Sequence, residues 1–378
     1  MEISIPCSEV WRRHFFYWFY IILALTFGYT MIVAETALGR MTKKSPVGAF
    51  AKFGKSKWLS FGGWINAIIP VLIVPYYSVI GGWVIKYLIE YFAGHSKTLA
   101  GDAYFTTFIS NGWSTEICFI IFTLFTLGII YAGVRNGIER VSKFMMPILI
   151  VLSLIIAVYS VTRPGAIEGV KYFLVPNFDH FSWMTVVSAM GQMFYSLSIA
   201  MGILITFGSY MKKDTSIEKS TENVEIFDTA IAIMAGLMII PAVFAFSGGN
   251  AETLKSGPAL MFITIPKVFA NMGFGTAIGV VFFLLVLFAA VTSSIALTES
   301  AVSTFEDELH WSRKKSTVFM GMVMLLLGTL SCLGYGPLAN FKILGMQFLD
   351  FFDFHNKLCD DADCRDRNLP SGIKSCWS

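Results

Sequence analysis

The stretch GQMFYSLSIAMG, Gly191–Gly202, decides how the rest of the chain is read. It lies within Met184–Tyr210, a hydrophobic run long enough to cross a bilayer. Its middle is nonetheless a poor helix, with Gly191, Gln192, Ser196, Ser198 and Gly202 clustered where lipid would be deepest. Lipid offers no hydrogen-bond partners, so such an interruption is tolerated only against protein or a water-filled cavity. Unwound carbonyls there can hold a cation, and half-helix ends can face a substrate. The plainer alternative is a kinked helix whose small residues pack against a neighbour.

Working outward, composition sets the class. Apolar residues make up 55% of the chain and charged residues only 14%. A soluble domain could not bury that much, so the chain reads as an all-α polytopic membrane protein. A net charge of +3 is too small to point to nucleic acid, and the bases sit in short loops. No small-residue cleavage site follows Arg12 and Arg13, so no cleavable signal is expected. Of six cysteines, Cys118 and Cys332 fall in apolar runs, and the other four lie near the termini without metal spacing.

Hydropathy marks eight spans: Phe15–Leu38, Gly62–Phe92, Glu116–Tyr131, Phe144–Val161, Met184–Tyr210, Asn223–Phe246, Gly273–Phe305 and Thr317–Leu333. A ninth begins near Gly345 and fails at once. Arg40–Lys57 carries six Lys/Arg, while Arg135–Lys143, Met211–Lys219 and Arg313–Lys315 carry three each. Loops 93–115, 162–183 and 247–272 mix acids with few bases, so the basic set is cytoplasmic. Arg12 and Arg13 depart from this rule by falling outside. On the outer face, Gly165–Phe173 reads as a short surface helix. GPALMFITIPKVFA, Gly257–Ala270, is too apolar for a solvated loop and too short to span, which suits a re-entrant lid.

Polar groups inside the spans are few. Tyr77 follows Pro75 near the expected midplane. Asp228 sits one turn into its span, where an unpaired carboxylate costs several kcal/mol and is either functional or a snorkelling interface acid. Ala289–Ser300, AAVTSSIALTES, places Thr292 and Ser293 in one span with Glu299. Such hydroxyls either back-bond their own helix or offer the hard oxygen ligands that sodium accepts.

FGYTMIVAETALGR (Phe27–Arg40), PYYSVIGGW (Pro75–Trp83), GQMFYSLSIAMG, FDTAIAIMAGLMIIPAVFAF (Phe227–Phe246) and FAAVTSSIALTESAVSTFEDEL (Phe288–Leu309) resemble the bacterial branch of the neurotransmitter:sodium symporter family. The resemblance spans residues 20–354 and implies a five-plus-five inverted-repeat fold. Residues 20–354 would supply the family's helices 2–9 and the start of helix 10. The family activity is sodium-coupled amino-acid symport by alternating access, with two sodium ions as coupling ions and no organic cofactor. A cell-membrane location follows, and a homodimer is admissible. Carried over by motif, the resemblance implies that Tyr77 holds the substrate carboxylate and that Tyr195 is an aromatic lid. Ser196, Ser198 and Met201 line the pocket, and Ile73 and Leu297 shape its side-chain end. One sodium site draws on Ser196 and Asp228, the other on the Ala289 carbonyl with Thr292 and Ser293. Animal members carry asparagine at the Asp228 position and require chloride, so the carboxylate here implies that the protein supplies the anion itself. Asp353 resembles the acidic half of an outer gate.

The same resemblance exposes departures. The family's opening helix, with its W-R-F-P motif, and most of its tenth are not legible in frame. Residues 1–19, back-translated and shifted by one base, can read W-R-F-P-Y-L-V-A-K-Y-G-G-G-I-F-F-I-G-F, which is family sequence. Residues 355–378, treated likewise, give an apolar run of span character. Both tails are therefore expected to be out of frame, and the chain as written to be an inactive fragment of a symporter. A channel or an integral-membrane enzyme is disfavoured: the spans show no repeated filter motif, no His/Cys cluster and no nucleophile–base motif.

Overall fold

A computed structural model describes residues 16–54, 56–175, 183–248, 257–338 and 349. In chain order the helices are α1 (Tyr17–Thr42), α2 (Pro46–Ala51), α3 (Lys57–Phe92), α4 (Ser96–Leu99), α5 (Tyr104–Ser110), α6 (Gly112–Tyr131) and α7 (Val134–Val161). They continue with α8 (Ala166–Leu174), α9 (Trp183–Ser196), α10 (Ile203–Tyr210), α11 (Ile217–Ser247), α12 (Leu260–Ala270), α13 (Gly275–Leu309) and α14 (Arg313–Leu333). Among the described residues, seven are long and apolar enough to cross a membrane: α1, α3, α6, α7, α11, α13 and α14. The eighth expected span, Met184–Tyr210, is the pair α9 and α10 with a break between them.

Every expected span is present, but five begin four or more residues earlier than hydropathy placed them, α6 among them at Gly112. The basic segments Arg135–Lys143 and Arg313–Lys315, expected as loops, are the first turns of α7 and α14. Likewise α11 starts at Ile217 and α3 at Lys57. Hydropathy locates the apolar stretch that lipid requires, whereas a helix continues into water wherever its N-terminus is capped. Ser216 Oγ caps α11 by accepting from the Lys219 N–H at 3.3 Å. Asn111 Oδ1 caps α6 from the Ser114 N–H at 3.3 Å. Residues 16–19, expected out of frame, form the first turn of the helix that continues through α1.

The 36-residue α3 and 35-residue α13 form the spine. At 1.5 Å per residue each is roughly 50 Å long, well beyond the ~30 Å hydrocarbon core, so both project into the aqueous layers. Around them, α6 and α14 pack on one side, α7 and α11 pair with each other, and α1 pairs with α10. The last pairing has almost no side chain between its backbones. A Cβ on Gly39 would stand 1.9 Å from the Ile205 carbonyl oxygen, and one on Gly208 2.4 Å from that of Thr36. Small residues that admit backbone contact are how helices associate where lipid removes any hydrophobic drive between them.

The expected surface helix is α8, which packs on α11, and the expected lid is α12. A π-helical turn, Leu260–Thr264, opens α12, and its side chains point inward, with Phe262 and Val268 fully buried. Phe262 stacks on Phe105 at a centroid distance of 5.3 Å and meets Trp83 edge-on at 5.7 Å. Its carbonyl accepts from the Tyr87 hydroxyl at 2.8 Å. Lys267 of α12 also pairs with Asp102 in the α4–α5 connection. The apolar composition of this segment thus reflects a wedge packed into the bundle against α3 and α5.

Candidate functional site

Residues 197–202 separate α9 from α10. Of the polar cluster expected to interrupt the helix, Ser198 and Gly202 lie in this break, whereas Gly191, Gln192 and Ser196 remain within α9. Ser198, Ala200 and Gly202 take positive φ values of 55°, 60° and 69°. For residues other than glycine this region costs about 1–2 kcal/mol each, so it persists only where the surroundings enforce it. The enforcing contacts are identifiable. Ile199 N–H reaches back to the Phe194 carbonyl at 2.9 Å. Ala200 N–H donates to Glu35 Oε1 at 2.8 Å, so a carboxylate from α1 takes a donor that the broken helix has freed. Gly202 turns the chain into α10 against the Pro46 ring and the Asn66 carbonyl.

A cavity of about 300 Å³ opens beside this break. It is lined by each substrate or sodium residue named from the sequence: Ile73, Tyr77, Tyr195, Ser196, Ser198, Met201, Leu297, Asp228, Ala289, Thr292 and Ser293. Four elements bring them together, with Ile73 and Tyr77 from α3, Asp228 from α11, residues 289–297 from α13, and the remainder from the end of α9 and the break. Asp353, the expected outer-gate acid, lies outside the described residues.

Two oxygen clusters line the cavity. Ser196 Oγ lies 3.0 Å from both carboxylate oxygens of Asp228, and the Tyr20 hydroxyl donates to Asp228 Oδ2 at 2.7 Å. The Tyr20 hydroxyl is also 3.1 Å from Ser196 Oγ, closing a triangle. Asp228 is therefore a partly buried carboxylate, hydrogen-bonded to Ser196 and Tyr20 and facing the cavity. In the second cluster, Thr292 Oγ1 is within bonding distance of the Phe288 carbonyl at 3.1 Å and the Ala289 carbonyl at 3.0 Å. It back-bonds its own helix, the plainer option for that hydroxyl, and still keeps lone pairs for a cation. Both clusters offer oxygen alone, which suits a hard cation such as sodium. Among the described residues, no group of three His, Cys, Asp or Glu could hold a transition metal.

Sequence reasoning missed several residues here. Tyr20 and Glu35 lie on α1, and Glu35 carried the same signal as Asp228, an acid within an apolar span. Met146 and Leu149 line the cavity from α7, and an apolar residue in an apolar helix announces nothing. Glu299, noted only as a neighbour of Thr292 and Ser293, is fully buried in a cluster of its own. Arg313 meets it with two bonds, at 3.0 Å to Oε1 and 2.6 Å to Oε2. The Tyr210 hydroxyl adds a third at 2.7 Å, tying the C-terminal end of α10 to α13 and the start of α14.

A multi-span helical bundle with one helix broken beside a cavity of hard oxygen donors is the architecture of an ion-coupled membrane transporter. The chain belongs to the sodium:neurotransmitter symporter family, whose profile matches residues 106–355. It is 34% identical over 343 residues to the sodium-dependent transporter YhdH of Bacillus subtilis (strain 168), covering 90% of this chain and 75% of that one. A sodium-dependent transporter of Haemophilus influenzae is 30% identical over 349 residues, covering 89% and 76%. Among solved structures, MhsT in complex with L-phenylalanine superimposes with a TM-score of 0.81 at 34% identity, covering 92% of this chain and 80% of MhsT. The protein is accordingly a multi-pass protein of the cell membrane with an all-helical transporter fold.

Proposed function

We propose that this chain's fold carries sodium-coupled symport of an apolar or aromatic amino acid into the cell by alternating access. The observation that carries the reading is the single cavity that joins the Asp228–Ser196 cluster, the Ala289–Thr292–Ser293 cluster and the apolar side chains of Ile73, Met201 and Leu297. One sodium ion would lie at Ser196 and Asp228, whose carboxylate supplies the compensating anion, and a second at Ala289, Thr292 and Ser293. The substrate carboxylate would meet the Tyr77 hydroxyl, with its side chain toward Met201 and Leu297 and Tyr195 as the aromatic lid. The bound L-phenylalanine of MhsT, at this level of identity, supports an apolar or aromatic substrate. Proteoliposomes with an imposed inward sodium gradient test the reading. Saturable accumulation of labelled phenylalanine or leucine that collapses when potassium replaces sodium is expected; uptake indifferent to sodium would overturn it.

For the chain as written, the second reading is an inactive fragment. It is favoured by residues 1–19 and 355–378, which in a shifted frame can read as the family's opening helix and as an apolar run of span character; against it, residues 16–19 are helical in their own frame. Reconstitution beside a frame-restored version separates the two, since sodium-driven accumulation by the uncorrected chain would exclude the fragment reading.

A further inference from the structure

Away from the cavity, a groove of about 780 Å³ lies at the cytoplasmic end of α1, where basic and apolar side chains meet. Ala34, Ala37, Leu38 and Met41 recur at helical spacing and give it an apolar strip, extended by Phe53 and Ile217. Arg40, Lys43 and Lys213 also line it, and among the described residues no carboxylate does; Asp214, next to Lys213 in the chain, is not among the lining residues. Arg40 donates to the carbonyls of Thr215 and Lys213, and Lys43 to those of Ser209 and Met211. Those partners are neutral, so the charge is not cancelled. A guanidinium has five donors and an ammonium three, so each keeps some to give.

We propose that this groove binds an anionic phospholipid of the inner leaflet, with the headgroup phosphate at Arg40, Lys43 and Lys213 and one acyl chain along the strip from Ala34 to Met41. Three observations favour a lipid over a soluble anion. Apolar side chains are six of the nine residues that line the groove, and a free phosphate would have no use for them. The strip runs up a span from the cytoplasmic edge, the depth at which headgroup and chain meet. A second basic cluster, at Arg135, Arg140, Lys143 and Lys212, makes the contrast, because it contains Glu139 bonded to Lys143 and, among the described residues, no apolar lining. Arg40 and Lys43 also fasten residues 209–215, the connection out of α10. A lipid held there is thus linked to the half-helix that follows the break.

Native mass spectrometry of the full chain, purified in detergent and offered equal dioleoyl-phosphatidylglycerol and dioleoyl-phosphatidylcholine, tests the site without any transport readout. The unsubstituted chain should retain the anionic phosphatidylglycerol in clear excess over phosphatidylcholine. Lys213→Gln, an exposed side chain whose loss disturbs no packing, should cut that preference about fivefold, the factor matching ~1 kcal/mol per juxtamembrane cation. Lys212→Gln removes the same charge from the neighbouring cluster and should leave the preference within twofold. Excess inorganic phosphate should not displace the lipid. Equal retention of both lipids, equal losses in the two variants, or displacement by phosphate would each overturn the proposal.

Discussion

Gly202→Ala isolates the role of the helix break in stability. Gly202 has φ +69°, and a Cβ there would stand 2.6 Å from Pro46 Cγ, 2.9 Å from the Asn66 carbonyl oxygen and 3.1 Å from Ser300 Oγ. The left-handed conformation costs a Cβ about 1–2 kcal/mol. Crowding a proline ring and a backbone carbonyl, neither of which can swing aside, adds about 1–3 kcal/mol. The reduced freedom of the unfolded chain returns about 0.4–1 kcal/mol. The net is a loss of roughly 2–4 kcal/mol, concentrated where α10 begins. Ala200→Gly is the control, since it releases strain at φ 60° while enlarging unfolded-state freedom, and the two nearly cancel. Denaturant unfolding of the purified protein in detergent reads both. Gly202→Ala within about 0.5 kcal/mol of the parent, the ordinary range for an unconstrained surface site, would refute the argument. So would Ala200→Gly as damaging as Gly202→Ala.

Three further outcomes are expected. Asp228→Asn should abolish transport by the frame-restored protein or make it depend on chloride, because a buried cation needs local compensation; chloride-independent uptake unchanged by the substitution would exclude the carboxylate as the anion. Tyr77→Phe should weaken sodium-driven substrate binding by about 2–5 kcal/mol, the penalty for leaving a desolvated charge unpaired, as equilibrium binding of labelled substrate would report. Arg313→Gln leaves the buried Glu299 with Tyr210 alone and should cost about 3–5 kcal/mol in denaturant unfolding. Arg313→Lys should recover only part of that, because an ammonium cannot make the two-pronged contact; full recovery would reduce the cluster to a point-charge attraction.

Much of the bundle is legible in the sequence because lipid imposes a simple rule. Each backbone polar group must be paired within its own segment, so every span announces itself as an apolar run of fixed length. Met184–Tyr210 also signalled a break, although Ser198 and Gly202 lie in it while Gly191 and Gln192 stay within α9. The ends were less legible. Arg135–Lys143 and Arg313–Lys315 look like loops because charge marks the edge of the lipid, whereas the helix stops where its hydrogen bonding does.

Of the site, the sequence could name Tyr77, Asp228, Thr292 and their neighbours, because a polar side chain in an apolar run is conspicuous by itself and the family motifs resemble it closely. What it could not say is which of them meet. Tyr20 and Asp228 are 208 residues apart, and Glu35 and Ala200 are 165 apart, yet each pair shares a hydrogen bond. Met146 and Leu149 are indistinguishable in sequence from any lipid-facing residue and reach the cavity only through the packing of α7 on α13. Glu299 could have faced sodium, water or a partner, and the start of α14 decides for Arg313. Periodicity and hydropathy are local properties that one segment fixes alone. Partnership depends on how separate helices close on one another, and in lipid that is set by shape, as where Gly39 and Gly208 let two backbones touch.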